Sequence, residues 1–289
     1  MDDKQLLRSS FGAVAAAYAE HRPDYARAAV RWALEFAPGP QVLDLGAGTG
    51  KLTAVLVELG AQVIAVEPDP AMLAELRRVL PAVRALSGGA ESIPLPDASV
   101  DAVVAGNALH WFDMAGAEPE IARVLAPGGV LAGLWNVLDD RVGWVAGLAR
   151  VGGSAVAGPR DVVSGWRAAT AGLHLPGPGL LPRFGSAEQG EFPHGQRRTV
   201  DSLVATLATR AGVLVMSERD REVVVGRLRA FLEGRPETRG GGFVLPMATG
   251  VLRVRRLSGV VGAQVSPGVP VGVWGGQVRG LVMRSRMAW

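Results

Sequence analysis

Three glycines and two carboxylates have the types and spacing to do chemistry in this chain. The segment Val42-Leu43-Asp44-Leu45-Gly46-Ala47-Gly48-Thr49-Gly50 passes from a short apolar run straight into a glycine-rich turn. Glycine at 46, 48 and 50 lets the backbone turn sharply and removes side chains between it and a ligand. Glu67 follows 21 residues after Gly46, at the end of a second apolar run. A carboxylate there can accept hydrogen bonds from both ribose hydroxyls of a nucleoside, each worth about 1.5–3 kcal/mol when the acceptor is charged. Three nucleotide loops compete for the segment. A phosphate-binding P-loop ends in Gly-Lys-Ser/Thr and begins with glycine; Gly50-Lys51 fits its end, but Leu45 and Leu52 break the pattern twice. A dinucleotide GxGxxG loop needs glycine where Lys51 stands, and Asp44, two residues before the first glycine, is unusual for it. The third is a nucleoside loop that meets no phosphate, with Asp44 placed to hold a cationic ligand or to orient the loop amides. The plain alternative is a structural tight turn followed by an ordinary surface glutamate.

The elements around this loop alternate. Residues 1–37 read as helical, with Asp24 as cap of a helix from Tyr25 to Phe36 that Pro38-Gly39-Pro40 ends. Strands are expected at Val42–Leu45, Val63–Val66, Val83–Leu86, Val100–Ala105 and Gly129–Trp135, and helices at Gly50–Leu59 and Pro70–Leu80. A further helix is expected to open on Glu118-Pro119-Glu120, where proline suits a first turn and the carboxylates complement the helix dipole. Such alternation implies a mainly parallel sheet covered on both faces, with ligands at the strand ends beside the topological switch point. Beyond Trp135 helices are expected at Arg141–Arg150, Asp161–Ala171, Val200–Thr209 and Ser217–Leu232. A Pro/Gly-rich stretch lies at Leu175–Gly185, and a closing strand pair, Phe243–Leu245 and Val251–Arg255, is expected to turn near Thr249-Gly250. Residues 258–289 are rich in glycine and valine, have no helical period, and read as a disordered extension.

Composition narrows the class. The 289 residues suit one large domain or one domain with a sub-domain. The absence of cysteine excludes a disulfide scaffold, a Cys-ligated zinc site and a thiol nucleophile. The net charge of +3 is misleading: seven arginines and no acid lie between Thr238 and Trp289, and removing them leaves −4 for residues 1–237. No basic stripe faces a nucleic acid there, so none is expected as partner. No apolar run reaches the roughly 18 residues of a membrane span, and MDDKQLLRSS has no apolar leader core, so a cytoplasmic protein is expected. His174 and His194 stand isolated, which argues against a metal cluster.

The run VLDLGAGTGKLT resembles the first motif of the class I S-adenosylmethionine-dependent methyltransferases, and VEPDPAML resembles their second-strand motif. GGAESIPLPDASVDAVVAGNALHWFD and RVLAPGGVLA are similar to their later motifs, in the same order, so the resemblance spans about residues 9–136. HWFD and RPDY resemble a small-molecule subgroup, within the type 11 branch, that includes trans-aconitate methyltransferase-like proteins. The resemblance implies a Rossmann-like three-layer α/β sandwich whose mostly parallel seven-stranded sheet has a reversed last strand. It divides the chain into a helical lid (1–37), a donor-binding core (38–136) and variable substrate-side helices with closing strands (137–257).

Carried over residue by residue, the resemblance implies S-adenosyl-L-methionine as cofactor. Gly46, Gly48 and Gly50 would line its methionine part with Asp44 behind them, and Glu67 would hold the ribose. Pro68 and Asp69 would border the adenine, Ala90 and Glu91 match its amine position, and Asn107 lies beneath the sulfonium. Tyr18 and Arg22 fall in the lid, where Tyr18 closes on the methionine end and Arg22 can bind a carboxylate. His110 and Trp111 are the acceptor-side candidates. His110 could deprotonate or hydrogen-bond an acceptor, or simply bond a loop carbonyl; Trp111 could face the sulfonium by cation–π attraction, or simply pack. The acceptor is expected to be a small molecule methylated on O, N or C, a carboxylate among the options. The rivals are a nicotinamide-dependent oxidoreductase and a non-catalytic cofactor-binding module.

Overall fold

The computed structural model describes residues 22–173 and 183–257. Tyr18 and the rest of 1–21, part of the Pro/Gly-rich stretch, and the segment 258–289 lie outside the described residues. One seven-stranded sheet runs in the order β3-β2-β1-β4-β5-β7-β6. Its strands are β1 (Gln41–Leu45), β2 (Gln62–Glu67), β3 (Arg84–Ser87), β4 (Val100–Gly106), β5 (Leu125–Leu138), β6 (Glu188–Arg198) and β7 (Phe243–Arg255). The first five are mutually parallel, and β7 runs antiparallel to both β5 and β6. The chain's last strand is thus the reversed one, as the resemblance implied. The sheet order reverses at β1, so β2 and β4 flank it and their ends open one crevice around the glycine turn.

Burial follows the strand period of two. Leu43, Leu45, Val103, Ala105, Leu131 and Trp135 pack on one face of the sheet. Val42, Ala102, Val104, Val130 and Leu134 pack on the other, against α1 (Arg27–Leu34) and α2 (Lys51–Glu58). Helix α3 (Pro70–Val79) follows β2, and α4 (Met114–Val124) leads into β5. Beyond β5 a separate apolar cluster gathers α5 (Gly143–Val156), α7 (Val200–Ala208) and α9 (Glu218–Glu233) against Leu138, Leu245 and Met247. The short α6 (Trp166–Thr170) and α8 (Ala211–Leu214) complete the described helices.

Several sequence expectations are corrected. Asp24 does not cap α1: the cap position is Ala26, without a side-chain bond, and the Ala26 amide donates to Thr249 Oγ1 at 3.0 Å. Asp24 pairs instead with Lys51 Nζ at 3.2 Å. Helix α4 begins four residues earlier than Glu118, because Asp113 accepts from the Ala115 amide and caps it there. Pro119 is therefore interior, and the two glutamates are far from the positive end of the dipole. Glu118 is buried against Arg183 (3.0 Å), and Glu120 pairs with Arg123 (2.7 Å), which holds its carboxyl down at about 2. The expected hairpin at 243–255 is one continuous strand. Gly250 makes no turn; a Cβ there would stand 2.7 Å from the Trp166 ring, so glycine admits the indole. β7 pairs with β5 on one side and on the other with β6, whose Pro193, Gly190 and Gly195 hide it from pattern reading. Proline is tolerated there because β6 is an edge strand. The second expected helix beyond Trp135 shrinks to α6, and the first runs on to Val156 with a break at Gly153 (φ 63°).

Arg253, grouped in the sequence with the basic C-terminal arginines, proves to be an internal tie. Its side chain is 5% exposed, donates to Glu188 Oε2 (2.7 Å) and Glu35 Oε2 (2.9 Å), and stacks 3.6 Å over Trp32. It joins α1 to β6 and β7, using stem packing as well as charge. Arg253→Met keeps the volume but loses the fork, and urea denaturation is expected to register a loss of about 2 kcal/mol.

Candidate active site

The crevice at the β1, β2 and β4 ends widens into one cavity of about 740 Å³. After Leu45 the chain turns with Gly46, Gly48 and Gly50 all at positive φ (69°, 58° and 90°). Gly46 is pinned by a bond from its amide to the Val66 carbonyl (2.8 Å), and a Cβ on it would stand 2.9 Å from that of Ala108. Gly48 faces open space, so a ligand can reach its backbone. Glu67 orders this loop: Oε2 accepts from the Gly48 amide (2.8 Å) and Oε1 from the Asp69 amide (2.9 Å). Only 7% of Glu67 is exposed, yet it lines the cavity. A carboxylate oxygen can accept two hydrogen bonds. Asp69 lines the cavity too, but its carboxylate is engaged as the cap of α3, accepting from Ala71 (2.9 Å) and Met72 (3.0 Å).

Asp44 is fully buried and also lines the cavity. Thr53 Oγ1 donates to Oδ2 at 2.6 Å, and Oδ1 has no hydrogen-bond partner among the described residues. Burial pushes its carboxyl up to about 7; the Thr53 bond opposes that rise and the Glu67 charge adds to it. Of the two roles that the sequence left open, no loop amide bonds Asp44 among the described residues, because Glu67 takes that of Gly48. An orphaned, buried carboxylate oxygen suits a cationic group, whose charge would stabilise the ionised form.

Pro68, Ala90, Asn107, His110, Trp111 and Arg22 line the same cavity. Glu91 is not among the lining residues: it is exposed and its Oε1 accepts from the Asp113 amide (2.9 Å), steadying the turn into α4. Asn107 sits at positive φ (51°), its amide on the Leu134 carbonyl (2.7 Å) and its side chain donating to the Tyr25 hydroxyl (3.0 Å). Arg22 is buried and donates to the Thr209 carbonyl (3.2 Å). The turn Leu109–Trp111 carries His110 and Trp111 with ring centres 4.8 Å apart. His110 Nδ1 accepts from Trp135 Nε1 at 3.3 Å. An indole nitrogen only donates, so the neutral imidazole carries its proton on Nε2.

Residues missed from sequence are Tyr25, Trp135 and a wall made of Ser154, Arg160, Asp161 and Arg210. Tyr25 was assigned to a helix, and Trp135 was seen only as a strand end. The wall joins positions some 50 residues apart, with no local signal. Residues 22–26 are held over the sheet by Asn136, whose Nδ2 donates to the carbonyls of Pro23 (3.1 Å) and Asp24 (3.2 Å), and which accepts from Thr249 Oγ1 (2.8 Å).

A family model described as a methyltransferase domain matches residues 43–133. An uncharacterized methyltransferase of Mycobacterium tuberculosis is 40% identical over 245 residues, 84% of this chain and 94% of that protein. A solved structure from Anaeromyxobacter dehalogenans, described as a type II methyltransferase, superimposes with a TM-score of 0.51 at 28% identity, covering 82% of this chain and 97% of that one. A malonyl-[acyl-carrier protein] O-methyltransferase of Enterobacter lignolyticus is 35% identical over 133 residues, 45% of this chain and 53% of that protein. The chain belongs to the class I S-adenosylmethionine-dependent methyltransferases. It is an enzyme whose methyl donor is S-adenosylmethionine, which removes the nicotinamide oxidoreductase and the silent binding module as readings. The orphaned Asp44 oxygen and the open backbone at Gly48 fit a donor that is cationic at its methionine end. Among the described residues no helix is long and apolar enough to cross a membrane.

Proposed function

We propose that the enzyme moves the donor methyl, by in-line displacement, onto a carboxylate oxygen of a small molecule. When bound, the donor supplies an electrophilic methyl on a positively charged sulfur, so the protein has only to position an acceptor and keep water out. Holding the reacting atoms about 3–3.5 Å apart in line can lower the barrier by roughly 7–11 kcal/mol. In this reading Glu67 accepts the ribose hydroxyls, Asp44 Oδ1 faces the cationic methionine end, and Gly46 and Gly48 line it, whereas Gly50, expected there too, is outside the cavity lining and turns toward Leu76 and Leu80. Pro68, Asp69 and Ala90 border the adenine, and Asn107 lies beneath the sulfur. Glu91 acts only through the turn that it steadies, while Arg22 and Trp111 close the acceptor side.

The observation that carries the carboxylate is the Trp135–His110 hydrogen bond. It occupies the one ring lone pair of neutral His110, so the imidazole has none left to act as a base. A carboxylate attacks without losing a proton, whereas a neutral hydroxyl needs a base to take its proton. The likeness to a malonyl-[acyl-carrier protein] O-methyltransferase supports oxygen as the acceptor atom.

Calorimetry with S-adenosylmethionine, S-adenosylhomocysteine and NAD, followed by release of S-adenosylhomocysteine in the presence of a set of carboxylic acids, tests this reading. Binding of the first two alone and turnover with an acid are expected; turnover confined to amines or alcohols overturns it. His110→Gln retains a donor and is expected to keep kcat within about tenfold, whereas a loss beyond about a hundredfold, the size of a missing base, points to deprotonation.

A further inference from the structure

Resting on that reading, a second wall of the cavity has charge that the donor does not use. Gly153 breaks α5 and brings Ser154 and Ala155 to the cavity, and Gly212 packs so tightly that a Cβ would stand 2.7 Å from Ala155 Cα. This contact sets Arg210 beside Asp161, with Nη1 to Oδ1 at 2.6 Å. The other Asp161 oxygen accepts from the Gly158 amide (3.0 Å), so both oxygens of that carboxylate have a partner. Arg210 Nε is buried without a hydrogen-bond partner among the described residues. Arg160, half-buried on the turn Pro159–Asp161, has no hydrogen-bond or ion-pair partner among the described residues, and burial pulls its pKa below the ordinary arginine value. Arg22 reaches the same wall through the Thr209 carbonyl. Arg160 and Arg210 thus share this wall with Asp161, while Asp44, Glu67 and Asp69 cluster at the β1 and β2 ends.

A half-buried guanidinium without a partner is costly unless an anion completes it, and its planar fork matches an oxyanion. We propose that Arg160 and Arg210 form an oxyanion subsite that anchors a second anionic group of the acceptor, a carboxylate or a phosphate, apart from the oxygen that is methylated. The acceptor is then at least doubly anionic, and the wall decides which acids are accepted.

The test titrates the full chain with malonate and, separately, with inorganic phosphate, each with and without saturating S-adenosylhomocysteine. One anion or both are expected to bind with one-to-one stoichiometry. Arg160→Gln is expected to weaken that binding at least about tenfold, the cost of one charged hydrogen bond, and Arg160→Lys to restore part of it. Binding of malonate alone assigns a carboxylate, and binding of phosphate alone assigns a phosphate. If neither binds wild type, or Arg160→Gln binds as tightly, the subsite does not exist. S-adenosylhomocysteine affinity is read in the same cell and is expected to be unchanged by Arg160→Gln. Its failure in wild type would count against the donor site only, since the anion arm is also run on donor-free protein.

Discussion

Glu67→Ala is expected to lower affinity for S-adenosylhomocysteine at least tenfold, and by about a hundredfold if bonds to both ribose hydroxyls are lost. The effect has two parts. The carboxylate would lose its ribose partners, and the amides of Gly48 and Asp69 would lose the acceptors that fix the glycine loop. Glu67→Gln separates charge from shape, since one carbonyl oxygen remains to order the loop; its loss is expected to be intermediate. A double-mutant cycle isolates the ribose part. Wild type should lose affinity for a 2′,3′-dideoxy analogue, whereas Glu67→Ala should bind the analogue and the parent alike. If both proteins lose the same factor on removal of the hydroxyls, Glu67 holds the loop and not the ribose.

The residues of the proposed donor half were legible because their signals are local. Asp44, the three glycines and Glu67 each stand at an element boundary that short apolar runs already mark, and parallel pairing of β1 with β2 brings the boundaries together. Asp113 capped α4 ahead of the expected Glu118 start because a local Asx bond outweighed the proline signal. β6 was illegible for a different reason. Its half-exposed residues, with Pro193 between two glycines, show no alternation, and pairing with β7 alone makes it a strand. The proposed acceptor half was dark on the same ground. Trp135 meets His110 across 25 residues, and Arg210 meets Asp161 across 49, contacts made by tertiary packing that no local spacing encodes.

Asp44 makes stability depend on pH in a direction opposite to most acids. Its folded pKa, about 7, lies above its ordinary value of 3.8. Between those values the folded state binds more protons than the unfolded one, so this group stabilises fully below the lower value and loses its contribution as pH rises through the upper one. Asp44→Asn mimics the neutral form, with its carbonyl still accepting from Thr53, and lacks that slope. Relative to the variant, wild type is expected to lose about 3 kcal/mol between pH 5 and pH 8 in urea melts. The difference between the two proteins cancels the opposite contribution of groups such as Glu120, whose carboxyl is held low by Arg123. A parallel pH dependence in both proteins would mean that Asp44 is already ionised in the fold. Donor binding is coupled with the opposite sign: a cationic group at Oδ1 favours the carboxylate, so below about pH 7 binding releases a proton and affinity rises with pH, by at most about tenfold per unit. Calorimetry in buffers of different ionisation enthalpy measures that proton, and Asp44→Asn should release none. If wild type binds the donor at pH 6 without proton release, the positive group does not sit on Asp44, and the orphaned oxygen must be completed by something else.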